Sequence, residues 1–90
     1  MDIKDIREQI DRLDDQLLEI FNQRAALALK IGTRKEEQGL AIYDPDRERL
    51  IFDRMKNANP GPLDDGAIAR LFERVIDESR RLERIRSKGK

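Results

Sequence analysis

The stretch IKDIREQIDRLDDQLLEIFNQRAALALKI, Ile3 to Ile31, decides the fold. Its apolar residues recur at Ile3, Ile6, Ile10, Leu13, Leu17, Ile20, Leu27 and Ile31, in alternating steps of three and four that miss one beat at Arg24. That spacing is one face of a long amphipathic helix. No proline interrupts it, and Gly39, after Glu36-Glu37-Gln38, is placed to end it with a left-handed cap. A helix of about 36 residues would be roughly 54 Å long. A compact chain of this size has a radius of gyration of only about 12 Å, so the helix must overhang its own domain. An overhanging apolar seam needs another chain to cover it, and a homodimer with paired long helices is expected.

Outward from the first helix, Leu40 to Tyr43 reads as a short loop, and Asp44-Pro45 as an N-cap with proline in the first turn. Leu50, Ile51 and Met55 supply the buried stripe of a second, shorter helix, which is expected to break over Asn57 to Pro62. Asp64 or Asp65 then caps a third helix carrying Ile68, Leu71, Phe72, Val75, Ile76, Leu82 and Ile85. No strand pattern or internal repeat is present. The fold class is therefore all-α, three helices per chain with one very long, in a single domain spanning residues 1–90.

Composition narrows the chemistry. The 90 residues are 42% charged and 38% hydrophobic, with 19 Lys plus Arg against 19 Asp plus Glu. A net charge of zero removes the usual electrostatic reason to expect nucleic acid or a membrane surface as partner. The basic run Arg80, Arg81, Arg84, Arg86, Lys88 and Lys90 has no interleaved aromatics and is balanced by acids upstream, so a solvated helix end is expected. Cysteine and histidine are both absent, which excludes Ser-His and Cys-His dyads, thiolate sites and most zinc sites. A charged N-terminus and the lack of any apolar run near 20 residues point to a soluble, cytoplasmic protein with neither signal peptide nor anchor.

Charged residues interrupt the apolar faces at particular places. With Ile3 at heptad position a, Arg24 also falls on a, in the middle of the seam, where an unpaired guanidinium is costly. Arg7 and Lys35 share the flanking e line about four heptads apart, too far to serve one small ligand from one helix. In an antiparallel pair of helices, Arg7 of one chain would approach the Arg24 to Lys35 end of the other. Ser79 and Glu83 lie in line with Phe72, Val75 and Ile76 on the third helix, and Arg47 and Glu48 sit in the first turn of the second. Taken singly, these are ordinary solvated charges, dipole partners or a back-bonded serine.

Together they resemble the all-helical (AroQ-type) chorismate mutases over essentially the whole chain. The carrying segments are Ile6 to Asp14, Arg24 with Ala28 and Lys30 to Lys35, Asp44-Pro45-Asp46-Arg47-Glu48-Arg49, and Phe72 to Glu83. The resemblance implies an intertwined homodimer and the pericyclic rearrangement of chorismate, a dicarboxylate, to prephenate, towards phenylalanine and tyrosine. It implies no cofactor and no metal. Arg7 from the partner chain and Arg24 match carboxylate-binding arginines, and Lys35 matches the lysine at a carboxylate and at the ether oxygen of the breaking bond. Arg47 matches a supporting arginine, Asp44 and Glu48 match residues around the substrate hydroxyl, and Ser79 matches a carboxylate contact. Glu83 matches a position held by Gln or Glu that donates to the ether oxygen, so it must be protonated to act. Apolar surroundings would raise its pKa and nearby cations would oppose the rise. Two other readings are an isochorismate-pyruvate lyase on the same scaffold, and a non-enzymatic helical dimerisation or regulatory module.

Overall fold

The computed structural model describes the backbone of residues 1–88 and side chains as far as Ser87. Three helices follow in order: α1 (Ile3–Glu37), α2 (Pro45–Ala58) and α3 (Asp65–Lys88). None of the described residues forms a strand. At 35 residues, α1 accounts for the 54 Å long axis of the molecule, and the radius of gyration is 16.2 Å. That exceeds the roughly 12 Å of a compact chain of this size, so α1 does overhang.

Each helix end has a local cause. The Asp2 carboxylate accepts from the Asp5 N–H at 3.0 Å and caps α1. At the other end Gly39 takes φ +70°, the Gly39 N–H donates to the Glu36 carbonyl at 3.2 Å, and the Leu40 N–H donates to the Lys35 carbonyl at 2.7 Å. This is the paired closure of a Schellman cap, and it turns the chain back towards α1. Asp44 caps α2 by accepting from the Arg47 N–H at 3.1 Å, with Pro45 in the first turn. Asp64, rather than Asp65, caps α3 by accepting from the Ala67 N–H at 2.7 Å. The second helix runs through Ala58, past the break expected at Asn57, because the restriction imposed by Pro60 acts on the preceding residue: Asn59 is extended at φ −64°, ψ 114°. Asn59 then organises the turn, its amide donating to the Leu63 carbonyl at 2.7 Å and to Asp65 at 3.1 Å.

Helix α3 packs against both α1 and α2 and joins them. Among the described residues only Ile51 and Ile76 are buried, at 5% and 7% exposure. The stripe expected to bury Leu50, and the α3 face expected to bury Leu71 and Ile85, leave those three half or more exposed. One chain has too few layers to cover them. The α1 seam is likewise open, every member from Ile3 to Ile31 lying between 45% and 67% exposed. Covering eight such side chains would contribute on the order of 10 kcal/mol. No helix among the described residues is long and apolar enough to cross a membrane.

Candidate active site

The three helices converge on a cavity of about 300 Å³, within the range of small-ligand sites. Its α1 wall carries Arg24, Leu27, Ala28, Ile31 and Lys35. The loop and α2 contribute Ile42, Asp44, Arg47, Glu48 and Ile51, and α3 contributes Ile76, Ser79, Arg80 and Glu83. The two buried isoleucines thus form its floor, and the charges stand around an apolar base.

Local structure positions each charged group. Arg24 is half-buried and its Nη1 donates to the Ser79 hydroxyl at 3.2 Å, across the α1–α3 interface. The interruption of the seam is therefore met by a neutral acceptor on another helix, and among the described residues no carboxylate pairs with the guanidinium, so its charge and remaining donors face the cavity. Lys35 is tied at both ends: its carbonyl accepts from Leu40 in the α1 cap, and its Nζ donates to the Ile42 carbonyl at 3.1 Å. The cap at Gly39 brings that carbonyl within reach, so the glycine that ends α1 also fixes its last functional side chain. Two further protons on Nζ remain to meet a ligand. Asp44 spends one oxygen on the α2 N-terminus.

Glu83 faces Lys35 and Arg80, and Gly32 of α1 lies beside it; a Cβ there would come within 3.1 Å of the Glu83 Cγ. Burial pushes the Glu83 carboxyl above the usual carboxylate range, opposed first by Lys35 and then by Arg80. The shift favours the protonated acid, the one form of a carboxyl that donates a hydrogen bond.

Of the residues singled out in the sequence, Arg24, Lys35, Asp44, Arg47, Glu48, Ser79 and Glu83 all border this cavity. Arg7 does not: it is exposed on α1, about 17 residues and roughly 25 Å along the helix from Arg24. One expectation is corrected. Arg80, grouped with the solvated basic run, is only 23% exposed at its side chain, and its Nη2 lies 3.1 Å from Glu48, a residue of α2. It follows Ser79 directly and precedes Glu83 by one turn, and that shared face was the available signal; the cross-helix partner was not visible. Arg81, Arg84 and Arg86 are exposed, while the Lys88 side chain and Lys90 lie outside the described residues. The Ile42 carbonyl and Gly32 also escaped sequence reasoning, since neither carries a functional side chain.

Comparison with known proteins agrees with this architecture. The family model described as chorismate mutase type II matches residues 6–84. A bifunctional chorismate mutase/prephenate dehydratase of Aquifex aeolicus is 33% identical over 87 residues, covering 92% of this chain and 24% of the relative. The chain thus spans about a quarter of the length of that relative. A chorismate mutase structure from Thermus thermophilus superimposes with a TM-score of 0.90 at 34% identity, covering 91% of this chain and 93% of the other. The Helicobacter pylori chorismate mutase, solved in complex with prephenate, gives a TM-score of 0.88 at 29% identity, over 96% of this chain and 93% of the other. Matched along nearly all of its length and sharing the three-helix architecture, the chain belongs to the chorismate mutase type II family.

Proposed function

We propose that the protein rearranges chorismate to prephenate, as a homodimer in which Arg7 of the partner subunit completes each cavity. The observation that carries this reading is the convergence of Arg24, Lys35, Arg47, Ser79 and a Glu83 biased towards its acid form on one apolar-floored cavity. A concerted rearrangement needs no nucleophile. It needs the substrate held in a compact, chair-like conformer and charge offset where it develops, which fixed cations and donors supply.

In this reading, the guanidinium groups of Arg24 and of the partner's Arg7 bind the two carboxylates, with Arg47 in support, because planar forks match carboxylate geometry and offset the desolvation of a dianion. Ser79, already bonded to Arg24, lies beside one of these carboxylates. Lys35 and protonated Glu83 donate to the ether oxygen as the C–O bond breaks and negative charge gathers there. Asp44 and Glu48 accept from the substrate hydroxyl. The open seam of α1 supports the dimer, since a second copy supplies an identical seam and also brings a distant Arg7 to the cavity.

Purified protein should remove the absorbance of chorismate and yield prephenate with no added cofactor. Consumption of isochorismate with release of pyruvate, and not of chorismate, would assign the scaffold to the lyase instead. Failure to bind either would leave a helical interaction module.

A further inference from the structure

Arg80 has no role in the reading above, yet its guanidinium is engaged on three sides. Its Nη2 lies 3.2 Å from Glu48 Oε1, 3.1 Å from Glu48 Oε2 and 3.1 Å from Asp77 Oδ1. Its Cζ stands 4.8 Å from the centre of the Tyr43 ring, in cation–π range. Three other ion pairs, Arg34–Glu37, Arg49–Asp46 and Arg74–Glu78, are longer, at 4.0, 3.5 and 3.7 Å, and their arginines are at least 70% exposed. Pairs of that kind contribute little. The Arg80–Glu48 pair differs, with side chains 23% and 21% exposed, and it links α3 to α2 at the cavity wall. The Arg80 Nε–H is buried without an acceptor, so the guanidinium is held through Nη2 and by its planar face against the Tyr43 ring.

We propose that Arg80 is a positioning residue of this site: braced by Asp77 and Tyr43, it fixes the Glu48 carboxylate and offsets its charge, and the pair jointly sets the field that Glu83 meets. This rests on the assignment of Glu48 and Glu83 to the chorismate site. The groups bordering the cavity with Glu83 are Arg24 and Lys35 from α1, Asp44, Arg47 and Glu48 from the loop and α2, and Arg80 from α3. On its other side, Glu36 and Arg86 border a second, smaller cavity. Lys35 and Arg80 are the cations that favour ionised Glu83. Removing Arg80 takes one away and leaves Glu48 as an uncompensated anion on the same wall, and both changes favour the acid form of Glu83. Neutralising Glu48 instead frees Arg80 and has the opposite effect.

The test is a carboxyl-carbon NMR titration of the full chain in wild type, Arg80→Met, Arg80→Lys and Glu48→Gln, beside steady-state kinetics on chorismate. The Glu83 midpoint should rise in Arg80→Met, fall in Glu48→Gln and stay near wild type in Arg80→Lys, which keeps the charge. Arg80→Met should raise KM and lower kcat/KM about tenfold, with the alkaline fall in rate displaced upward, and should cost little more in a Glu48→Gln background. A Glu83 midpoint that does not move, with equal losses in both backgrounds, would make Arg80 a purely structural residue and overturn the proposal. Should Arg80→Met not fold, the Glu48→Gln titration decides alone, a fall supporting the proposal and no change or a rise refuting it. The titration needs no turnover, so a wild type that leaves chorismate untouched would refute the proposed function while the Arg80 result stands by itself.

Discussion

The two halves of α1 share one apolar seam, open from Ile3 to Ile31, and differ in the second face that only the C-terminal half presents to its own chain. Residues 1–23 are exposed without exception, whereas from Arg24 onward the helix presents Arg24, Ala25, Ala28, Leu29, Gly32 and Lys35 as a half-buried face. That half-buried face carries the small residues Ala25, Ala28 and Gly32, beside which α3 packs, with cations at its two ends. The seam is built of Ile and Leu, Leu27 and Ile31 included, and none of the described residues covers it. Periodicity reports that a face must be buried; residue size and the interruptions in the pattern report against what.

The sharpest way to break this comparison is to charge the seam of the N-terminal half. Leu17→Asp should abolish assembly and, because only Ile51 and Ile76 are buried among the described residues, most of the folded state with it, read as loss of helical circular dichroism and a monomeric sedimentation coefficient. A Leu17→Asp chain that stayed helical and monomeric would show that the C-terminal half stands alone.

Next in size is the chemistry of the C-terminal half. Arg24→Ala should lower kcat/KM by about 10²–10³, of the order seen for removal of a transition-state donor, while the protein stays helical and associated. Retained turnover would remove Arg24 from the site.

Glu83 gives a smaller, pH-dependent effect. Burial raises its pKa, and only the acid donates, so kcat/KM should be highest below that pKa and fall as pH rises through it. Glu83→Gln carries an N–H donor at every pH and should flatten the alkaline limb. Parallel profiles for the two proteins would assign the limb to another group.

The smallest effect belongs to the point where α1 ends. Gly39→Ala places a Cβ at φ +70° and should cost about 1 kcal/mol in stability, with a lower Tm. Since the same cap brings the Ile42 carbonyl to Lys35, activity should fall slightly more than stability explains.

Most of the fold was legible, because helix ends are local: Gly39 and Asp44-Pro45 announce themselves in the chain, Asp64 and Asp65 mark the third start to within one residue, and the seam sets the length of α1. Arg24, Ser79 and Glu83 were legible as interruptions of apolar faces, whereas Lys35, Asp44, Arg47 and Glu48 became candidates only through the family resemblance. What stayed hidden depends on distance in sequence. Arg80 reads as one of a basic run until α2 brings Glu48 against it across 32 residues. The backbone carbonyl of Ile42 and the missing side chain of Gly32 leave no mark in a pattern of residue types. The exposure of Leu50, Leu71 and Ile85 was hidden as well, because periodicity marks an apolar face without saying whether the same chain covers it.

The central claim is that the exposed half of α1 belongs to its partner's active site, and mixing two inactive chains tests it most directly. Arg7→Ala and Arg24→Ala, each nearly inactive, are exchanged at equal concentration, and exchange is verified by mass. In the proposed dimer half of the exchanged molecules are heterodimers, each with one cavity holding both arginines, so about a quarter of wild-type activity should return. Verified exchange with no recovery would contradict the shared site.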